Sequence, residues 1–195
     1  MPPLDGLVPG VRVISRPALD LDATYYDTRD LRLVRDGISL RRRTGDGDAT
    51  WTLKLPAGPS TVALQRREFD VVDDSPDIPD ELASLVTGWV RTAPLEAVID
   101  ILSHRERLSL VDSLGAELAE IDDDQVSVRE AGTIVARFRE IEVELGPSGS
   151  EDLLRKVTAS LVEAGAGSPD PMPKVTRALG PRALVPSVLT VTAPR

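Results

Sequence analysis

The chain has 195 residues, with 32 acidic and 23 basic side chains and a formal net charge of −9 at neutral pH. That length suits one domain with a small appendage, and an apolar share of 41% is enough for a packed core, while aromatics at 3% leave that core to Val, Leu, Ile and Ala. There is no Cys and His104 is the single His, which excludes disulfide scaffolds, thiolate chemistry and any multi-histidine metal site. No apolar run approaches the roughly 20 residues of a membrane span. The start, Met1-Pro2-Pro3-Leu4-Asp5, has neither the basic region nor the apolar stretch of a signal peptide. The expectation is a soluble cytoplasmic protein with no membrane partner. Strong acidity argues against a nucleic-acid partner.

Residues 1–20 show little patterning and carry four prolines, Pro2, Pro3, Pro9 and Pro17. From Leu21 the texture becomes period-two alternation, the mark of half-buried strands. Residues 24–28 and 31–34 are short strand candidates. Residues 38–44 and 50–56 flank Gly45-Asp46-Gly47-Asp48, a hairpin turn. Residues 61–72 form a longer candidate, and a Pro- and Asp-rich break leads to a helix at about 80–86. A strand fits the later half of residues 97–111. Turns at Asp112-Ser113-Leu114-Gly115 and after Asp122 separate strands at 116–122 and 126–129. Gly132 opens the strongest strand, residues 133–145. Ser148 and Glu151 have capping-box spacing for a helix over about 150–164. Residues 174–179 read as one helical turn, and residues 181–195 as an extended tail or linker. The fold class is α+β: mostly antiparallel β with a few flanking helices.

The informative feature is which face of each strand carries charge, since alternate side chains point to opposite faces. Arg41 and Arg43 share a face with Ser39, and Lys54 shares one with Thr52. Arg66, Glu68 and Asp70 fall together, as do Arg105 with Arg107 and Glu120 with Asp122. Glu140, Glu142 and Glu144 line one side of the last strand, opposite Ile141, Val143 and Leu145. Any one of these could be an ordinary solvated face. Sorted by sign, however, the charges point further. Three like charges spaced two apart repel, so something positive should offset them. A closed sheet with a charged interior would hold an anion on Arg and Lys. Its carboxylates would hold Mg²⁺ or Mn²⁺, hard ions that favour oxygen.

These segments resemble the CYTH superfamily, the triphosphate tunnel metalloenzymes. Tyr25-Tyr26-Asp27-Thr28 is similar to the family's YYDT strand, and Leu40-Arg41-Arg42-Arg43 to its basic strand. Thr52-Leu53-Lys54 and Arg66-Arg67-Glu68 resemble the two that follow, and Glu140-Ile141-Glu142 the acidic strand. Arg105-Glu106-Arg107, Asp122 and the segment starting at Lys174 match more weakly, and the likeness spans residues 5–180. It implies a domain over residues 1–180 folded as an eight-stranded tunnel. It also implies metal-dependent hydrolysis of a triphosphate, inorganic or organic, or binding of polyphosphate. In that scheme Arg41, Arg43, Lys54, Arg66, Arg105, Arg107 and Lys174 clamp phosphate. Glu140, Glu142, Glu144 and Asp122 hold Mg²⁺ or Mn²⁺, with Glu142 and Glu144 closest to the chemistry, and Glu68 orients a tunnel cation. The family's ExExK strand has no counterpart here; Asp20 and Asp22 are the only early acidic pair at that spacing. That departure suggests a misplaced start or a seven-stranded, incomplete tunnel. It keeps a second function in view, a triphosphate-binding module impaired in catalysis, and ranks an adenylate cyclase third. Family habit admits a homodimer.

Overall fold

Two groups of strands separated by a helix, with further helices at the end, make up the chain in a computed structural model that describes residues 4, 9–57 and 66–184. The elements are β1 (Arg12–Asp27), α1 (Arg32–Arg35), β2 (Ser39–Thr44), β3 (Thr50–Pro56), β4 (Arg66–Val72) and α2 (Asp80–Val90). They continue as β5 (Glu96–Val111), β6 (Glu117–Glu130), β7 (Thr133–Leu145), α3 (Glu151–Glu163), α4 (Lys174–Leu179) and α5 (Pro181–Leu184). The strands form a seven-stranded, mostly antiparallel sheet in the order β4-β3-β2-β1-β5-β6-β7. Among the described residues hydrogen bonds do not close the sheet into a barrel. The α+β class expected from the sequence is the class observed, and the seven strands among the described residues correspond to the seven-stranded alternative.

Several local expectations change. Residues 31–34 lie at the helical turn α1, not in a strand. Its cause is the buried Asp27 carboxylate, which accepts from the backbone N–H of Thr28 at 2.6 Å, Leu33 at 2.9 Å and Val34 at 2.9 Å. A side chain six residues upstream thus satisfies donors that the start of a helix leaves open. Strand β1 begins at Arg12, well before the first patterned residue. Strand β6 runs unbroken through Asp122-Asp123-Asp124, where a turn was expected. Asp123 is compensated there by a two-pronged contact from Arg139, at 2.7 and 2.6 Å. Helix α3 is capped by Ser150, whose hydroxyl accepts from Leu153 N–H at 3.2 Å, rather than by Ser148. Residues 181–184 are helical, not extended. Residues 61–65 of the long strand candidate and 185–195 of the tail lie outside the described residues.

The chain divides into two compact units. The first comprises Met1–Asp20, Ser103–Val126 and Arg137–Pro171. Its core sets Leu110, Ala119 and Ile121 of the sheet against Leu153, Val157 and Leu161 of α3, with Leu4 alongside. The three helix residues are four apart, so they form one apolar stripe along α3. The second unit comprises Leu21–Leu102, Ser127–Ala136 and Met172–Arg195. There Leu40, Trp51 and Leu53 pack with Leu33 and Ile38 against Leu82, Val86 and Val90 of α2. The Tyr26 and Trp51 rings meet at 4.9 Å between centroids, tilted by 46°. Each fully buried side chain of this size contributes about 1.5–3 kcal/mol. Burial of these apolar rows fixes which face of each strand is left for the polar rows.

Candidate functional site

In the second unit the strand register aligns the basic residues. Leu40 pairs with Leu53 on the core face, so the residues between them take the other face. That face reads Ser39 beside Lys54 beside Glu68, then Tyr25 beside Arg41 beside Thr52 beside Asp70. Lys54 Nζ contacts Glu68 Oε1 at 2.5 Å, and the Thr52 hydroxyl donates to Asp70 Oδ1 at 2.7 Å. Arg41 Nη1 reaches the Tyr25 hydroxyl oxygen at 3.5 Å, and Arg43 Nη2 contacts Asp46 in the hairpin turn at 2.6 Å. Arg66 stands two residues before Glu68 and so on the same side. Arg41, Arg43, Lys54, Arg66 and Glu68 therefore share one polar face, as expected. Arg42 lies on the other face, where it is half-buried. It donates to the Ser75 carbonyl at 3.2 Å and the Asp74 carbonyl at 2.9 Å. Lys174 opens α4 and is half-buried.

In the first unit the face opposite Ala119 and Ile121 is acidic. Arg105 stands at its centre. Its Nε donates to Asp124 Oδ1 at 2.8 Å and its Nη2 to Asp124 Oδ2 at 2.7 Å. Its Nη1 donates to Asp122 Oδ2, and Nη2 also reaches Glu142 Oε2 at 3.2 Å. One guanidinium thus holds three carboxylates from β6 and β7. Arg107 lies beside it, with Nη2 at 2.6 Å from Glu120 and Nε at 4.0 Å from Asp122 Oδ1.

Burial makes these charges matter. The Asp124 side chain is 0% exposed and the Arg105 side chain 14%. Burial alone would lower the Arg105 pKa, but the hydrogen bonds and charge of Asp124, with Asp122 and Glu142, outweigh it and raise the value. The Asp122 carboxyl is pushed up to about 6 by burial first, a pull that Arg105 opposes and that Glu120, Asp124 and Glu142 reinforce. Its Oδ1 is buried without a hydrogen bond among the described residues.

Asp124, Glu140 and Glu142 present carboxylate oxygens within 4.8 Å of one another. Three hard oxygen donors at that spacing suit a divalent ion such as Mg²⁺ or Mn²⁺. The residues present therefore fit the group. Glu144, two residues beyond Glu142 on the same strand side, is exposed and stands outside the trio, as does Asp122. Asp124 is the residue that the sequence reading missed. Its signal was present: Glu120, Asp122 and Asp124 alternate on one side, but the Asp run resembles a turn.

His104 falls on the face opposite Arg105 and Arg107. It is exposed, with Nδ1 at 2.7 Å from Asp20 Oδ1. It is not a member of the acidic trio.

The CYTH domain profile matches residues 17–174. Two Mycobacterium tuberculosis proteins, the uncharacterized proteins MT2285 and Rv2226, are 37% identical over 193 residues. The match takes in 92% of this chain but 37% of either relative, so the chain spans little more than a third of their length. Among solved structures, a Bacillus halodurans protein named as a candidate adenylate cyclase superposes with a TM-score of 0.52 at 17% identity, covering 86% of this chain and 95% of that one. The PH1819 protein of Pyrococcus horikoshii gives 0.51 at 17% identity, covering 87% and 88%. At that identity the likeness is one of fold. No helix among the described residues is long and apolar enough to cross a membrane.

Proposed function

The chain belongs to the CYTH domain family, and from that premise we propose that it hydrolyses a triphosphate with the help of a divalent metal. The observation that carries the reading is the carboxylate trio Asp124, Glu140 and Glu142, with oxygens within 4.8 Å of one another on neighbouring strands.

The roles follow from chemistry and position. Asp124, Glu140 and Glu142 hold Mg²⁺ or Mn²⁺. The ion supplies charge neutralisation and polarisation of a phosphoryl oxygen. Arg41, Arg43, Lys54 and Arg66 take phosphate oxygens, where charge-assisted contacts are shorter and stronger than neutral ones. Glu68 keeps the Lys54 ammonium in place at 2.5 Å and lowers the entropy lost when an anion arrives. Arg107, Lys174 and Glu144 are secondary contributors through their charge. Phosphoryl transfer needs little covalent help from a protein, so positioning and charge carry the rate.

The second reading is a module that binds a triphosphate or polyphosphate without turnover. It is favoured by Arg105, which already occupies Asp122, Asp124 and Glu142. One assay separates the two. Phosphate release from tripolyphosphate is measured with Mg²⁺ and with Mn²⁺, for the chain and for the double variant Glu140→Gln, Glu142→Gln. Metal-dependent release that the variant loses supports the hydrolase. Tight tripolyphosphate binding by calorimetry without release supports the module and rejects the hydrolase.

A further inference from the structure

Arg105 is more than one cation in a charged row. It lies on β5, it is largely buried, and three of its nitrogens are committed to three carboxylates. Two of those, Asp124 and Glu142, are also members of the trio able to take a divalent ion. The same oxygens therefore serve two cations. Asp124 faces the guanidinium with both of its oxygens, at 2.8 and 2.7 Å, so an ion seated on Asp124 meets the Arg105 charge within a few ångströms. Two positive charges that close repel strongly in a partly buried setting, where the screening of bulk water is lost. Without Arg105, the buried Asp124 would lose its two-pronged partner while Asp122 and Glu142 stay close by as like charges.

We propose that Arg105 is a built-in counter-ion that holds the acidic cluster together in the metal-free protein and gives up Asp124 and Glu142 when a divalent cation arrives. The inference rests on the reading of Asp124, Glu140 and Glu142 as the metal-holding set. It adds an order to the site. Metal loading releases a guanidinium whose planar fork suits a phosphate oxygen pair, so cation binding prepares Arg105 for an anion. Arg105 is then a positioning residue in one state and an anion ligand in the other. Arg107 differs, because its main partner is Glu120, which is outside the trio. It keeps its partner whether or not a metal is bound.

The test uses Mn²⁺ alone, followed by its paramagnetic signal at pH 8 with no substrate present. Replacing Arg105 by Gln removes the competitor, so Mn²⁺ affinity should rise about tenfold, equivalent to about 1.4 kcal/mol. The same variant should unfold at lower temperature without metal and regain much of that loss with Mn²⁺. A purely structural arginine would not raise affinity. A second measurement needs no variant. Phenylglyoxal modification of the intact chain, mapped by mass spectrometry, should increase several-fold at Arg105 on adding Mn²⁺. Arg155, an exposed arginine on α3, should not change. Unchanged or weaker Mn²⁺ affinity in the Arg105→Gln variant overturns the proposal, as does unchanged Arg105 labelling in protein that has bound Mn²⁺. Absence of Mn²⁺ binding to the chain itself, or binding that survives Glu140→Gln with Glu142→Gln, instead refutes the metal-centre reading beneath it.

Discussion

Replacing Asp27 by Ala should destabilise the fold far more than an average substitution. The carboxylate is fully buried and accepts three backbone N–H groups, from Thr28, Leu33 and Val34, at 2.6 to 2.9 Å. Thr28, Leu33 and Val34 are themselves buried, so water cannot replace the lost acceptor. A buried donor left unsatisfied costs about 1–3 kcal/mol, so three cost at least about 3 kcal/mol. Against this, truncation relieves the burial of a carboxylate, whose pKa is raised by desolvation despite those three hydrogen bonds. The expected net loss is about 3 kcal/mol, a large part of the roughly 5–15 kcal/mol that holds a domain folded. Asp27→Asn keeps the oxygen facing Thr28 and Leu33 but turns an amide donor toward Val34, so it should lose about 1–2 kcal/mol. The raised pKa also sets a sign. The folded protein binds the proton more tightly than the unfolded chain does, so this group's contribution is fully present below the ordinary carboxylate value of 3.8 and is lost as pH rises through the raised folded value. Asp27→Asn should remove that slope. Urea unfolding with linear extrapolation measures both. A loss below about 1 kcal/mol for Asp27→Ala would refute the view that this side chain builds α1.

Two further outcomes can be checked directly. His104 is the single His, so its Cε1 proton can be followed without overlap from another imidazole. Its pKa should lie above 6.5, because Asp20 accepts a hydrogen bond from the ring and lends its charge, with a lesser push from Glu106. The stabilisation is therefore full below 6.5 and fades as pH rises through the folded value. Asp20→Asn should bring the titration back toward 6.5, and an unchanged titration would reject the pairing. Gly149→Ala should destabilise by about 1–3 kcal/mol, as overpacking does. An added Cβ there would sit 2.2 Å from the Leu118 carbonyl oxygen and 2.9 Å from Leu145 Cδ2, and a backbone oxygen cannot step aside. Far-UV circular dichroism during heating would show it, and an unshifted melt would contradict the clash.

Much of the polar face was legible in the sequence because alternation is a local signal. Arg41, Lys54 and Glu68 fall on one side by counting alone, and the register Ser39–Lys54–Glu68 agrees. What escaped was set by contacts distant in sequence. Residues 12–20 form strand yet are mostly exposed on both sides, so no apolar alternation marks them, and Pro17 argues against a strand. Residues 31–34 carry a strand-like pattern that the Asp27 carboxylate overrules. Asp122-Asp123-Asp124 looks like a turn until each side of the strand finds its arginine: Arg105 on one face, Arg139 on the other. For the same reason Asp124 was absent from the expected metal set, and the contacts of Arg105 with Asp122, Asp124 and Glu142 were not foreseen. Charge patterns show which residues share a face; they do not show which of them meet.

The placement of the few aromatic rings has a practical consequence for spectroscopy. Both tryptophans and both tyrosines, including the Tyr26–Trp51 pair, fall between residues 21 and 102 and so within the second unit. The first unit, with Arg105 and the acidic trio, contains Phe138 as its sole aromatic side chain. Near-ultraviolet absorbance, intrinsic emission and aromatic dichroism therefore report on one half of the molecule and are blind to the other. A tryptophan-monitored melt would return a sharp transition even if the acidic half had loosened beforehand. A single Trp placed on α3 would make the acidic half visible.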